Sequence, residues 1–290
     1  MSGDPFVTHR RLLFTVAYEM LGSAVDAEDV VQETWLRWRD VDHAEIRDAR
    51  AYLVRIVTRK ALDHLRTVSR RREEYVGPWL PEPLLTSPDV AEDVELADSL
   101  STAMLLVLET LTPTQRAVFV LHEVFDVGYD ELAAAVGKSE AAVRQISHRA
   151  RAHVAERRPR GAISRADTRS ALEAFQRALV TGDLQDLADI LAPDVVMLGD
   201  GGGIKQALPR PVLGADKVVR LLQAGLDTVM GDFAAEIVQV NGWPALLVRF
   251  RGELDSVMTM RVEDGLVSGI YTVRNPEKLS RIMEEATLTR

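Results

Sequence analysis

Residues 130 to 153 carry a pattern of groups suited to reading nucleic acid. The run Asp130-Glu-Leu-Ala-Ala-Ala-Val-Gly-Lys-Ser-Glu-Ala-Ala-Val-Arg-Gln-Ile-Ser-His-Arg-Ala-Arg-Ala-His153 divides into a short helix, a Gly-Lys turn and a longer helix. Val143, Ile146, Ala150 and Val154 recur at steps of three and four and predict the buried stripe of the second helix. Arg144, Gln145, His148, Arg149 and Arg151 fall outside it, where side chains can donate to base edges and phosphates. A helix-turn-helix of this kind places its second helix in a major groove, although a basic solvated helix face can carry the same residues. A second stripe, Arg55, Arg59, Arg66 and Arg70 with Lys60 beside it, suits a phosphate backbone and stacking on unpaired bases. Asp63 lies on that stripe and is expected to orient its arginines. The run Arg70-Arg71-Arg72 extends the basic surface, and would equally suit a solvated helix end that complements the dipole.

Other chemistry is poorly supplied. The chain has no cysteine, which excludes disulfides and thiolate catalysis, and its six histidines show no metal-ligand spacing. No cofactor is expected. Asp200, ahead of a glycine run, could serve as a carboxylate base in a pocket, but no histidine follows His153 to assist it. The Gly201-Gly202-Gly203 run lacks a phosphate-cradling context.

The elements that position these residues follow from local signals. Gly137 can end the first helix in the left-handed conformation, Ser139 can cap the second, and Glu140 sits where a helix N-terminus favours negative charge. From Phe6 to Arg72 apolar residues recur at helix spacing, with Gly22 ending a first helix and Asp26 placed to cap the next. Prolines 78, 81, 83 and 88 predict a non-helical linker from about Val76 to Pro88. Helical spacing resumes near Ala91 and runs to Arg158, before a junction at Pro159-Arg160-Gly161. Beyond Asp167 a helix from Arg169 to Val180, a Gly182-Asp183 break and a short helix before Pro193 precede predicted strands. These are Val195 to Leu198, Ala234 to Val240, Ala245 to Arg251, Ser256 to Val262 and Leu266 to Val273, with a helix from Ala215 to Leu226. Asn241-Gly242 and Glu263-Asp264-Gly265 have hairpin-turn chemistry. The chain is therefore read as multidomain: two all-α units, then an α+β unit.

The 290 residues are 47% hydrophobic and 27% charged, with a net charge of −9. That acidity argues against nonspecific coating of nucleic acid, while the clustered arginines suit conditional contact. No apolar run approaches the ~20 residues of a membrane span and no secretory signal is evident, so a cytoplasmic protein with no membrane contact is expected.

Two segments carry a family resemblance. Asp26-Ala-Glu-Asp-Val-Val-Gln-Glu-Thr-Trp-Leu-Arg-Trp38, followed by Ala51-Tyr-Leu-Val-Arg-Ile-Val-Thr-Arg-Lys-Ala-Leu-Asp-His-Leu-Arg66, resembles region 2 of extracytoplasmic-function sigma factors. Residues 101 to 157, with Leu108-Glu-Thr-Leu-Thr-Pro-Thr-Gln-Arg-Ala-Val-Phe119, resemble their region 4. The resemblance implies a dissociable subunit whose partners are core RNA polymerase, through its clamp coiled coil and flap, and promoter DNA. It would give Asp29, Gln32, Glu33 and Trp35 to the clamp. It would give Arg55, Arg59, Lys60, Arg66, Arg70, Arg71 and Arg72 to the −10 element, and Arg144, Gln145, His148 and Arg151 to the −35 element. Asp167 to Arg290, with Leu172, Phe175, Ala178 and Leu179 on its first helix, then Gly182-Asp183-Leu184, Leu187 and Leu191-Ala-Pro-Asp-Val-Val196, resembles a SnoaL-like cone. Trp79-Leu80-Pro81-Glu82-Pro83, Asp200-Gly201-Gly202-Gly203 and Asn275-Pro276-Glu277-Lys278-Leu279 together look like the subgroup that carries this unit fused.

In that reading 1–75 is region 2, 76–100 the linker and start of the next helix, 101–160 region 4 and 161–290 a regulatory unit. The unit would act in cis through Trp79, Pro81, Pro83, Asp200, Gly202, Lys205, Asn275, Pro276 and Lys278, without a separate anti-sigma protein and with a pocket for an unidentified small molecule. Lys205 departs from the subgroup pattern, because Ile204 intervenes after the glycine run. The competing readings are a SnoaL-like isomerase or hydrolase fused to a DNA-binding module, and a helix-turn-helix repressor.

Overall fold

The computed structural model describes residues 4–87, 90, 92–158, 164–181, 185–229 and 233–290, without the side chains of 68–73, 179–180, 185–186, 226–229 and 233. Helix α1 (Pro5–Leu21) begins where the Asp4 carboxylate accepts the Phe6 amide, and ends at Gly22, whose φ of 67° would strain any side chain. Helix α2 (Ala24–Arg39) is capped by Ser23, whose hydroxyl accepts the Asp26 amide. Asp26 is therefore not the cap. It lies in the first turn, where the helix N-terminus favours its charge, and pairs with His64 at 3.0 Å. Helix α3 (Ala49–Glu73) crosses both.

The second helical segment holds α4 (Val94–Leu100), α5 (Thr102–Glu109), α6 (Pro113–Phe119), a π turn (Val120–Val124), α7 (Tyr129–Val136) and α8 (Glu140–Arg157). Gly137 adopts φ 68° and Ser139 accepts the Ala142 amide, so the α7–α8 turn forms as its residues predict. Val143, Ile146, Ala150 and Val154 are buried. The two helical units share one apolar core that runs from Phe6 to Val154 and takes in Leu13, Val57, Leu105, Val118 and Leu132. Residues 286–290 return to this core: Leu288 is buried in it, the Thr289 amide donates to Thr15, and Arg290 pairs with Asp93 at 2.8 Å.

The third unit contains α9 (Arg165–Thr181), α10 (Gln185–Ile190), β1 (Leu191–Asp200), β2 (Val212–Leu213), α11 (Ala215–Val229), β3 (Phe233–Val240), β4 (Trp243–Phe250), β5 (Glu253–Glu263), β6 (Leu266–Val273) and α12 (Pro276–Leu279). One sheet of order β2-β1-β6-β5-β4-β3 results, antiparallel throughout except for β1 against β6. Helices α9 to α11 cover one face, through Leu172, Phe175, Leu187 and Val218 against Met197, Met258, Met260 and Ile270. Val240, Ala245, Val257, Tyr271 and Val273 on the opposite face pack Leu80, Leu279 and Ile282.

Several boundaries differ from expectation: β5 starts at Glu253 rather than Ser256, α11 ends at Val229 rather than Leu226, and three further cases bear on the fold. Helix α9 starts at Arg165 rather than Arg169. Strand β1 starts at Leu191 and includes Pro193, tolerated at a register shift between Leu191 and Val196. Arg251 does not continue β4: it turns with Gly252 at φ 53° and 80°, a hairpin that an arginine gives no reason to expect. The two turns that were expected form with positive φ at Asn241-Gly242 and Asp264-Gly265. The Gly182-Asp183 break lies outside the described residues. Among the described residues, no helix is long and apolar enough to cross a membrane.

Candidate nucleic-acid interface and interdomain latch

On α8, Arg144, Gln145, His148 and Arg151 are all exposed. Two of them are held in place from α7. The Arg144 guanidinium lies 4.4 Å over the Tyr129 ring and pairs with Glu140, while Arg151 donates to the Tyr129 hydroxyl at 3.3 Å and pairs with Glu123 at 3.4 Å. Tyr129 is a platform between the two arginines, and the sequence reading missed it. Its aromatic character, at the first position of the first helix of the motif, was the available signal.

The α3 stripe is not one free surface. Arg59 reaches across to the C-terminal end of α7, donating to the carbonyls of Ala134 at 2.6 Å and Ala135 at 3.2 Å, where unpaired helix carbonyls attract a cation. Arg55 stacks 5.1 Å over Tyr52 and lines the cleft between α3 and α7, which holds about 500 Å³. Lys60 pairs with Glu33 of α2 at 2.8 Å. Arg66 donates to Asp63 at 2.9 Å, the orientation expected of Asp63. Arg70, Arg71 and Arg72 continue the helix, but their side chains lie outside the described residues.

On α2 the two tryptophans part company. Trp38 is 2% exposed and its indole donates to Asp4 at 3.0 Å, whereas Trp35 is 39% exposed. Asp29, Gln32 and Glu33 are exposed beside it. Leu36, Val25 and Val7 are also exposed on α1 and α2, as single apolar residues commonly are, and Trp35 lines a shallow surface depression with Phe6, Val31 and Gln32.

The proline-rich segment departs furthest from expectation. It holds no helix, as predicted, yet it is no solvated linker: Leu80, Pro81, Glu82, Pro83 and Leu84 are all buried between the helices and the sheet. The Glu82 carboxylate accepts the Ala24 amide at 2.7 Å at the start of α2, and the Glu82 amide donates to the Gly22 carbonyl. Burial raises the Glu82 carboxyl above its ordinary range, against those hydrogen bonds. The hydroxyl of Tyr18 donates to the Glu82 carbonyl at 2.6 Å, and Asn241 accepts the Leu84 amide at 3.0 Å. A Cβ on Gly22 would lie 2.7 Å from the Trp79 ring, so the strap passes hard against the α1–α2 corner.

Asp200 fastens this strap. It is fully buried, and its Oδ1 accepts from the Tyr75 hydroxyl at 2.6 Å and the Gly202 amide at 3.0 Å. Oδ2 accepts from the Leu80 amide at 2.9 Å and Lys278 Nζ at 2.7 Å. Lys278 also donates to the Leu80 carbonyl and lies 4.3 Å over Trp79 and 4.9 Å over Tyr75. Asn275 caps α12 through the Glu277 amide while its Nδ2 donates to Tyr75 at 2.9 Å. Gly202 is required here, since a Cβ would meet Asn275 at 2.3 Å. Burial, and then the Asp200 carboxylate, push the Tyr75 phenol above its ordinary value. Two expected members stand apart: Pro276 is exposed at the start of α12, and Lys205 pairs instead with Asp255 at 3.0 Å.

A sigma-70 region 2 profile matches residues 6–71, and a sigma-70 region 4 profile matches residues 101–154. The ECF RNA polymerase sigma factor SigJ of Mycobacterium tuberculosis is 36% identical, in an alignment covering 97% of this chain and 94% of SigJ. This chain belongs to the ECF RNA polymerase sigma factors. A probable ECF sigma factor of the same organism, SigI, is 32% identical over 96% of the chain and 94% of its own length. The crystal structure of SigJ superposes with a TM-score of 0.76 at 35% identity, covering 95% of this chain and 97% of SigJ, so the similarity extends through the sheet unit. As a sigma factor the protein directs transcription initiation, with core RNA polymerase and promoter DNA as its partners, and it is not an enzyme. The isomerase, hydrolase and repressor readings give way to this one.

Proposed function

We propose that this sigma factor is restrained in cis by its sheet unit, which holds regions 2 and 4 together until the strap is released. The observation that carries the reading is Arg59: a side chain assigned to the −10 element is bonded instead to the carbonyls of the region 4 helix α7. Region 2 (1–75) and region 4 (101–160) cannot both reach separated promoter elements while that contact and the shared core persist. The linker segment (76–100) is the lever, and the regulatory unit (161–290) grips it through Asp200, Lys278, Asn275 and Tyr75. Control of this sort needs no separate anti-sigma protein.

The remaining assignments follow from exposure and chemistry. Asp29, Gln32, Glu33 and Trp35 dock the polymerase clamp coiled coil, since a half-exposed tryptophan ringed by carboxylates and an amide suits a protein surface. Region 4 meets the polymerase flap. Once α3 is freed, Arg55, Arg59, Lys60 and Arg66, with Arg70 to Arg72, meet the −10 element. Arg144, Gln145, His148 and Arg151 meet the −35 element, with Tyr129 holding two of them in position.

The test is transcription in vitro with purified core polymerase. The paired change Asp200→Asn with Lys278→Met removes the latch without leaving a buried charge unpaired. It is expected to raise promoter-specific transcript severalfold at equal polymerase affinity. An unchanged or lower yield from a folded variant would refute restraint by this latch.

A further inference from the structure

The face of the sheet turned away from the strap encloses a pocket of about 590 Å³, large enough for a sizeable organic molecule. Its apolar wall is Phe175, Met197, Leu221, Leu222, Val248 and Met258. One end is polar and strongly charged. Arg274 donates through Nε at 3.2 Å and Nη2 at 2.9 Å to the two oxygens of Asp255, and Lys205 Nζ stands 3.0 Å from the same carboxylate. Burial would raise the Asp255 carboxyl, but the hydrogen bonds from Arg274 and Lys205 hold it below its ordinary range. Two cations on one carboxylate leave a surplus of one positive charge, and of the three groups Arg274 and Asp255 line the cavity.

A second polar group points the same way. Side chains alternate along β6, with Ile270 in the helix-covered core and Tyr271 and Val273 on the strap side. Thr272 therefore faces the pocket with Ile270. Its Oγ1 is buried and has no hydrogen-bond partner, an unmet need that a native core seldom tolerates without a ligand or water to satisfy it.

We propose that this pocket binds an apolar organic monoanion, its carboxylate-type head paired with Arg274, whose partner Asp255 is already neutralised by Lys205, and an oxygen of the molecule reaching Thr272. The head-group site adjoins the latch: the Arg274 amide donates to the Asp200 carbonyl at 2.7 Å, and Lys205 closes the loop that begins at Asp200. Occupancy would thus bear on the grip on the strap, a coupling that rests on the cis-restraint reading above.

Titration calorimetry of the full chain with dodecanoate, 1-dodecanol and dodecylamine, each below its micellar concentration, tests the site directly. Dodecanoate is expected to bind one per chain, at least about tenfold more tightly than the alcohol or the amine. Arg274→Gln weakens dodecanoate by about tenfold, Asp255→Asn tightens it by enlarging the positive surplus, and Leu222→Trp on the opposite wall abolishes it. The opposite signs of the first two changes separate head-group pairing from simple loss of structure, and Asp255→Asn carries the test if Arg274→Gln does not fold. Equal binding of alcohol or amine, indifference to both changes, or no binding of dodecanoate and of a steroid carboxylate such as deoxycholate would each overturn the proposal. Transcription by the holoenzyme without added carboxylate does not depend on this site, so failure here leaves the latch reading standing, and failure of the latch leaves calorimetry valid.

Discussion

Single side chains separate the two tasks assigned to this sigma factor. Arg144 stands on the exposed side of α8 with Tyr129 beneath it, and Glu33 stands on α2 beside Trp35. Arg144→Ala is expected to cost about 1–3 kcal/mol at one −35 position, read as altered preference in a promoter library, with core affinity unchanged. Glu33→Ala should weaken binding to core polymerase, measured by fluorescence anisotropy, and leave promoter preference alone. Loss of core affinity in the Arg144 variant would contradict that division. Exposure of these residues was legible because the apolar stripes of α2 and α8 leave them outside. Tyr129 was not, since its value depends on where Arg144 and Arg151 fold back, a contact between two helices.

Among the elements, the strap has the least expected role. Prolines tell the backbone what it cannot do, and the absence of helix from Val76 to Ser87 follows from that alone. Burial does not follow, because it depends on the two surfaces that close over the segment. Glu82 shows the consequence: its carboxylate satisfies the Ala24 amide at the start of α2, an orphan donor beyond the one that the Ser23 cap takes. Glu82→Ala is expected to destabilise the chain by about 1–3 kcal/mol, the cost of a lost charge-assisted bond and an unpaired buried amide, measured by urea denaturation. Asp26→Ala should cost less, since Asp26 contributes only first-turn charge and a partly exposed pair with His64.

At the scale of the whole molecule, the packing of region 2 against region 4 contains a buried carboxylate. Glu19 of α1 is fully buried, accepts from Ser99 at 2.7 Å, and has its other oxygen unpartnered. Burial pushes its carboxyl up to about 8, despite Ser99 and Arg116. Arg116 of α6 donates to the Glu19 carbonyl and pairs with Glu109, and burial brings its guanidinium down to about 9. A carboxyl with a raised native value makes the native state bind more protons than the unfolded one. Stability from this group is therefore greatest below about 4.5 and falls as pH rises toward about 8. Thermal melts across that window should show the decline, of order a few kcal/mol at most, and Glu19→Gln should flatten it. An equally steep profile in the variant would remove Glu19 as its source.

What the sequence determined by itself is whatever short-range chemistry decides. The α7–α8 turn is written in Gly137 and Ser139, the sheet hairpins in Asn241-Gly242 and Asp264-Gly265, and the end of α1 in Gly22. The family was legible too, because the motifs of α2, α3 and α8 are contiguous in the chain. Only the tertiary structure decided that Asp200 would meet Tyr75, Leu80 and Lys278, residues 78 to 125 positions away. Likewise it alone turned Arg59 toward a helix end and Lys205 toward Asp255. The physical reason is that a buried polar group must find partners wherever packing brings them, and no periodicity or turn signal encodes which distant donor arrives.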